Sequence, residues 1–109
     1  MREESLAKNE ELFRKVNERI ETISQAVADD DAMTEYLCEC DRPECYERIK
    51  ATRGEYESVR AEPTHFIVLP GHEDARVERV LSSNERFLIV EKQGAAAQDA
   101  KENDPRDEP

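Results

Sequence analysis

Three glycines in 109 residues leave the chain without a glycine-rich phosphate loop or a dinucleotide fingerprint, and no Ser-His-Asp order is present either. No apolar run approaches the roughly 20 residues that cross a bilayer. The N-terminus, MREESLAKNEELF, has no apolar h-region. A cytoplasmic location is therefore expected, with no membrane partner. No region is basic. Residues 1–34 carry nine acids and five bases, residues 35–92 thirteen and nine, and residues 93–109 five and two, which together make the formal net charge of −11. A direct nucleic-acid contact lacks its electrostatic footprint, and an anionic lipid surface is disfavoured for the same reason. The acidity reads as solubility, with a basic partner as the sharper alternative. Apolar residues make up 37% of the chain against 39% charged, a low share for a self-sufficient core. A core that small commonly needs a metal or an oligomer interface to hold it.

Cysteine is scarce, and all of it lies in residues 36–45, YLCECDRPEC, as Cys38, Cys40 and Cys45. The neighbours Glu39, Asp41, Arg42, Pro43 and Glu44 are polar and turn-forming rather than core residues, and Pro43 suits a tight turn. A C-x-C-x4-C knuckle of this kind can aim three sulfurs at one centre. Clustered thiolates usually hold zinc, and a structural zinc site is tetrahedral, so a fourth ligand is expected. The two histidines are His65 and His72. His72 follows Leu69-Pro70-Gly71 at the end of an apolar run, where a loop can turn it back to the knuckle; His65 lies at the start of that run. The expected site is structural Zn2+ held by Cys38, Cys40, Cys45 and His72. The spacing departs from the commoner C-x2-C. Four alternatives compete. Two thiols are structural and one spare, with His72 capping a turn. Cys38 or Cys40 pairs with Cys45 as a redox switch, against which the adjacent acids count by raising thiol pKa values. A permanent disulfide conflicts with the odd cysteine count and the lack of a signal peptide. Finally, a metal enzyme keeps an open position in place of His72, with Glu39, Glu44 or Glu73 as base; three thiolates make a poor Lewis acid, and no catalytic residues are expected.

Residues 3–28 contain no glycine or proline and read as one long amphipathic helix. Leu6, Phe13, Ile20 and Val27 recur every seven residues, and Asn9, Val16 and Ile23 fill the intervening seam positions, a coiled-coil pattern. Leu12 widens the stripe, and the opposite face carries Glu10, Glu11, Arg14, Lys15, Glu18, Arg19 and Glu21. The helix either covers its own domain or serves as a dimer or partner-docking element. Three acids at 29–31 end it as a hinge, since they oppose the macrodipole. Residues 34–40 and 46–51 predict strands into and out of the knuckle. Thr52 and Glu55 form a capping box opening a helix over 53–61, with Tyr56 and Val59 on its core face. Phe66-Ile67-Val68-Leu69 predicts a buried strand, and residues 76–81 and 86–91 a hairpin, with 73–77 as an alternative short helix. Residues 93–109 have no apolar side chain larger than alanine and predict a disordered acidic tail.

These stretches (YLCEC at 36–40, CYERI at 45–49, EYESVR at 55–60, the run from Phe66 to His72, and VEK at 90–92) resemble a family of small bacterial proteins, largely actinobacterial, with a C-x-C-x4-C knuckle and a downstream Pro-Gly-His. The helix segments NEELFR at 9–14 and VNERI at 16–20 are similar too. The chain departs from the pattern at Asp41, where glycine usually stands, and at Ala51-Thr52, where Leu-Thr does. The resemblance implies the fold unit and no activity. The expected architecture is α+β: a helix over 1–31, a small zinc-ribbon-like antiparallel β domain with one short helix over 34–92, and the tail. The expected function is a noncatalytic zinc-stabilised interaction or regulatory module, with a protein partner or a second copy meeting the helix.

Overall fold

A computed structural model describes residues 2–27, 31–40, 42, 45–104 and 106, with side chains left out at 2–10 and 27. Helix α1 spans Arg2–Val27. It is followed by strands β1 (Met33–Leu37) and β2 (Arg48–Thr52), helix α2 (Arg53–Arg60), strands β3 (His65–Val68), β4 (Glu78–Ser83) and β5 (Leu88–Lys92), and helix α3 (Gly94–Glu102). The class is α+β as expected, with two short helices rather than one. The hinge residues 28–30 lie outside the described residues.

Two antiparallel sheets share one core. β1 and β2 pair with Tyr36 opposite Ile49. The second sheet has the order β3-β5-β4, so β5 is central. Between Val80 and Ser82 the β4–β5 register slips past Leu81, a bulge that bends an edge strand. Residues 73–77 make a turn instead of a helix: the amides of Val77 and Glu78 both donate to the Asp74 carbonyl. Alternation along β1 and β2 buries Tyr36, Ile49 and Ala51, and these meet Tyr56 and Val59 of α2 and Phe66, Ile67 and Val68 of β3. Tyr36 stacks on Tyr56, with ring centroids 4.4 Å apart and planes 12° from parallel.

The capping box is present. The Glu55 amide donates to Thr52 Oγ1 at 3.0 Å, and the Thr52 amide to Glu55 Oε1 at 2.8 Å. Glu55 also receives Arg86 at 2.8 and 2.6 Å, tying α2 to the β4–β5 turn. That guanidinium, more than the cap, lowers the Glu55 carboxyl to about 2. Its contribution is therefore complete above an unfolded-chain value near about 4.3 and is lost as pH falls through about 2. Glu55→Gln is expected to flatten the acid limb of stability in that window. Urea midpoints at about pH 5 and about pH 2.5 check it.

α1 docks on its own chain, but through only part of the heptad stripe. Phe13 is buried, Val16 and Ile20 are half-buried, and Ile23 is 60% exposed. Leu12 points outward as well. The buried face instead carries Arg14, Asn17 and Glu21, of which Arg14 and Glu21 had been expected on the solvent side. Arg14 donates to the carbonyls of Pro63 (2.8 Å) and His65, and its guanidinium lies 3.5 Å from the Phe66 ring centre. The heptad misleads because beside Phe13 and Ile20 the docked face is polar, with Arg14 and Asn17 bonded to carbonyls and to a carboxylate. The Leu6, Asn9 and Val27 side chains of the stripe, and Glu10, lie outside the described residues.

The stretch after Gln93, expected to be disordered, forms α3. Alanine is the strongest helix former, and 94–102 contains four of them. Ala100 packs against the core. Asp104 then ion-pairs with the buried Arg60, and Arg106 donates to both oxygens of Glu18 at 2.9 Å and to Glu57 at 2.5 Å. The reason is electrostatic. A buried guanidinium needs compensating carboxylates, and Arg60 takes one from α1 (Glu18, 2.6 Å) and one from the tail. No helix among the described residues is long and apolar enough to cross a membrane.

Candidate metal centre

The Cys38 amide donates to Glu47 O at 3.0 Å, continuing the β1–β2 pairing by one step. The Glu39 amide points the other way and donates to Ile67 O of β3 at 2.8 Å. Residues 38–40 thus bridge the two sheets in extended form. In extended backbone alternate side chains share a face, so Cys38 and Cys40 face one way and Glu39 the other. The Cys45 amide donates to Arg42 O at 3.1 Å, closing a turn that brings the third thiol round. Asp41, Pro43 and Glu44 of the expected turn lie outside the described residues.

His72 arrives from the far side. Its amide donates to Leu69 O at 2.9 Å, and Gly71 has φ +90°, which with Pro70 before it makes a type II turn. Glycine is needed at that third position because L side chains are strained there. Two side chains hold the turn: Arg42 Nη2 donates to Gly71 O at 2.9 Å, and the Gly71 amide donates to Glu73 Oε1 at 2.9 Å.

The ligand atoms of Cys38, Cys40, Cys45 and His72 all lie within 4.8 Å of one another. His72 Nδ1 is 3.6 Å from Cys38 Sγ and 3.5 Å from Cys45 Sγ. For a tetrahedral ion with metal–sulfur and metal–nitrogen bonds of about 2.3 and about 2.1 Å, the sulfur–nitrogen edge is about 3.6 Å. The donor set, soft thiolates plus one imidazole, and its spacing both fit a metal ion. The three thiols are buried and His72 is half-buried. All four residues that the sequence nominates come together. His65 does not join them; its Nε2 faces Glu91 at 3.3 Å on the β3–β5 ladder.

One sulfur also receives a backbone amide: Leu69 N–H reaches Cys38 Sγ at 3.2 Å. The backbone of Arg42 favours the charged form of Cys40, and that of Glu47 the charged form of Cys45. Such donors stabilise thiolates and orient them for an ion. The Cys40 thiol is pushed down to about 4, chiefly by the neighbouring Cys38 thiol, against the opposing effect of burial and with help from His72. Cys38 moves up, first through its hydrogen bond with Cys40 and then because it is buried. Burial raises Cys45. Neighbouring acids do not lead the shift at any of the three thiols: burial and Cys40 raise Cys38 and Cys45, and Cys38 and His72 lower Cys40.

Glu39 is the residue that composition concealed. Expected in a solvent-facing turn, its side chain is fully buried. Its carboxylate accepts from Asn17 Nδ2 (2.9 Å), Tyr56 Oη (2.9 Å) and the Ile67 amide (3.2 Å), and Arg14 Nε lies 3.8 Å away. The signal that could have found it is the C-x-C spacing itself, which in extended chain sends the middle residue opposite the sulfurs. A carboxylate so committed is not free to act as a base; Glu73 accepts the Gly71 amide through one oxygen, and Glu44 lies outside the described residues. Compared with protein-family models, curated proteins and solved structures, the chain matches none.

Proposed function

We propose that Cys38, Cys40, Cys45 and His72 hold one structural zinc ion, and that the chain is a noncatalytic zinc-stapled interaction or regulatory module whose N-terminal helix is its partner-facing element. The observation that carries this reading is the convergence of four donors within 4.8 Å, with the His72 nitrogen at tetrahedral-edge distance from two of the sulfurs. Four protein ligands complete the coordination of zinc, whereas catalytic zinc keeps a position for water. Two further features support it: the Leu69 amide donated to Cys38 Sγ, and the commitment of Glu39 to the core. The partner is a protein or a second copy, since the net charge of −11 speaks against nucleic acid. The compartment in keeping with reduced, metal-bound thiols is the cytoplasm.

A thiol redox sensor is the second reading, favoured by the lowered Cys40 beside two more sulfurs. Metal retained under mild oxidant separates the module from the sensor, which would lose metal as a disulfide forms.

The experiment that tests the ligand set is a zinc titration against a chromophoric competitor. His72→Ala is expected to weaken zinc binding at least tenfold, since it removes one of four ligands, while His65→Ala keeps wild-type affinity. Equal affinity in both variants would remove His72 from the site.

A further inference from the structure

We propose that occupancy of the metal centre controls whether α1 stays docked on the domain. This rests on the zinc reading above and adds a consequence to it. The contacts that place α1 fall beside the ligands. The Asn17 amide group grips Leu37 from both sides: the Leu37 N–H donates to Asn17 Oδ1 at 2.7 Å, and Asn17 Nδ2 donates to Leu37 O at 2.9 Å. Leu37 directly precedes Cys38. The same Nδ2 donates to Glu39 at 2.9 Å, and Glu39 stands between Cys38 and Cys40. Phe13 meets Tyr46 edge to face at 6.3 Å, and Tyr46 directly follows Cys45. One helix face thus touches the chain neighbour of every thiol ligand.

An ion bonded to three sulfurs and to His72 fixes the path of residues 37–46. Once the ion is removed, the 38–40 and 45 arms are no longer tied to each other through their sulfurs, and Leu37 and Glu39, the positions that Asn17 requires, keep only the β1–β2 pairing and the hydrogen bonds of Glu39 to Ile67 and Tyr56. The other ties of α1 include Glu18 to Arg60 and Arg106, Arg14 to Pro63, His65 and the Phe66 ring, and Thr34 to Ser24, none of which touches a ligand's neighbour. Asn17 is fully buried, and a buried amide that loses its partners costs its full desolvation. An emptied centre therefore favours release of α1. The face set free carries Phe13, Asn17 and Ile20.

Linkage makes the coupling reciprocal. Whatever zinc does for α1 docking, docking does for zinc. Asn17→Ala touches no ligand, yet it is expected to weaken zinc binding about tenfold, within the usual range of coupling between sites. Leu12→Ala, on the exposed side of the same helix, should leave affinity unchanged. The direct measurement is amide hydrogen exchange on the full chain, zinc-loaded and then chelated. Loss of protection over residues 11–26 upon chelation, with β3 and β5 still protected, supports the proposal. Three outcomes overturn it: α1 protection indifferent to zinc, equal loss across α1 and the β3-β5-β4 sheet, or wild-type zinc affinity in Asn17→Ala. A wild-type chain that takes up no zinc in the titration removes the zinc reading as well, and the affinity measurement shows which of the two has failed.

Discussion

Cys40→Ser is expected to abolish the response of the chain to zinc. Cys40 is fully buried among the four donors. A serine hydroxyl at that position stays protonated, and zinc binds thiolate, imidazole or carboxylate ligands. For wild type, zinc at a thousandfold excess over its dissociation constant contributes about 4 kcal/mol by mass action. At about 4 °C per kcal/mol for a chain of this size, the melting temperature should rise by roughly 15 °C. Cys40→Ser should melt at one temperature with or without zinc, close to chelated wild type. The check is a pair of thermal scans on each protein, with excess zinc and with chelator. A zinc-dependent rise in the variant equal to that of wild type would remove Cys40 from the site. The dependence carries a sign in pH. Ligand thiols must shed their protons to bind, so the zinc-induced rise should shrink as acid competes for the sulfurs.

Glu39→Ala is expected to destabilise the zinc-loaded chain by about 3–5 kcal/mol, the cost of breaking a buried charge pair by removing one partner. The loss falls in four places at once. Arg14 keeps its buried guanidinium without its carboxylate, Tyr56 Oη and Asn17 Nδ2 lose an acceptor, and the Ile67 amide is left with nothing to donate to. Burial already lowers the Arg14 pKa, with Glu39 the largest opposing influence. Glu39→Gln should cost less, since an amide oxygen still accepts two of these bonds while the amide nitrogen meets donors. Urea unfolding in the presence of zinc measures both. A cost for Glu39→Ala below about 1 kcal/mol, the scale of a single net hydrogen bond, would mean that the carboxylate is not the hub of the core.

These two residues stand next to each other in the chain and differed entirely in how far they could be read. Cys40, with Cys38, Cys45 and His72, was visible because its chemistry is rare and local. Three thiols in eight residues, and a Pro-Gly turn that must swing the next side chain back, constrain the answer without knowledge of the rest of the fold. The same holds for the Thr52–Glu55 capping box, whose partners are three residues apart. Glu39, Arg14 and Asn17 were hidden because burial of polar groups depends on partners far along the chain: Arg14 finds Pro63 and His65, and Asn17 finds Leu37. Hydrophobic periodicity does not register such a face, so it assigned Arg14 to solvent and Ile23 to a seam. Residues 94–106 were hidden for a related reason. Small alanines carry little hydrophobic signal, and the acidic Asp104 becomes structural only because Arg60 is buried within reach.

The measurement that tests the central claim most directly is the metal content of the full chain, purified without a histidine tag, by elemental mass spectrometry, with Cys40→Ser as the blank and the native mass taken on the same samples. One zinc per wild-type chain and none in the variant is the expected result, and the native mass then tells whether the helix also pairs chains. Wild-type protein that is folded, has three titratable thiols and carries no metal would contradict the account, and would leave the thiol cluster to redox chemistry.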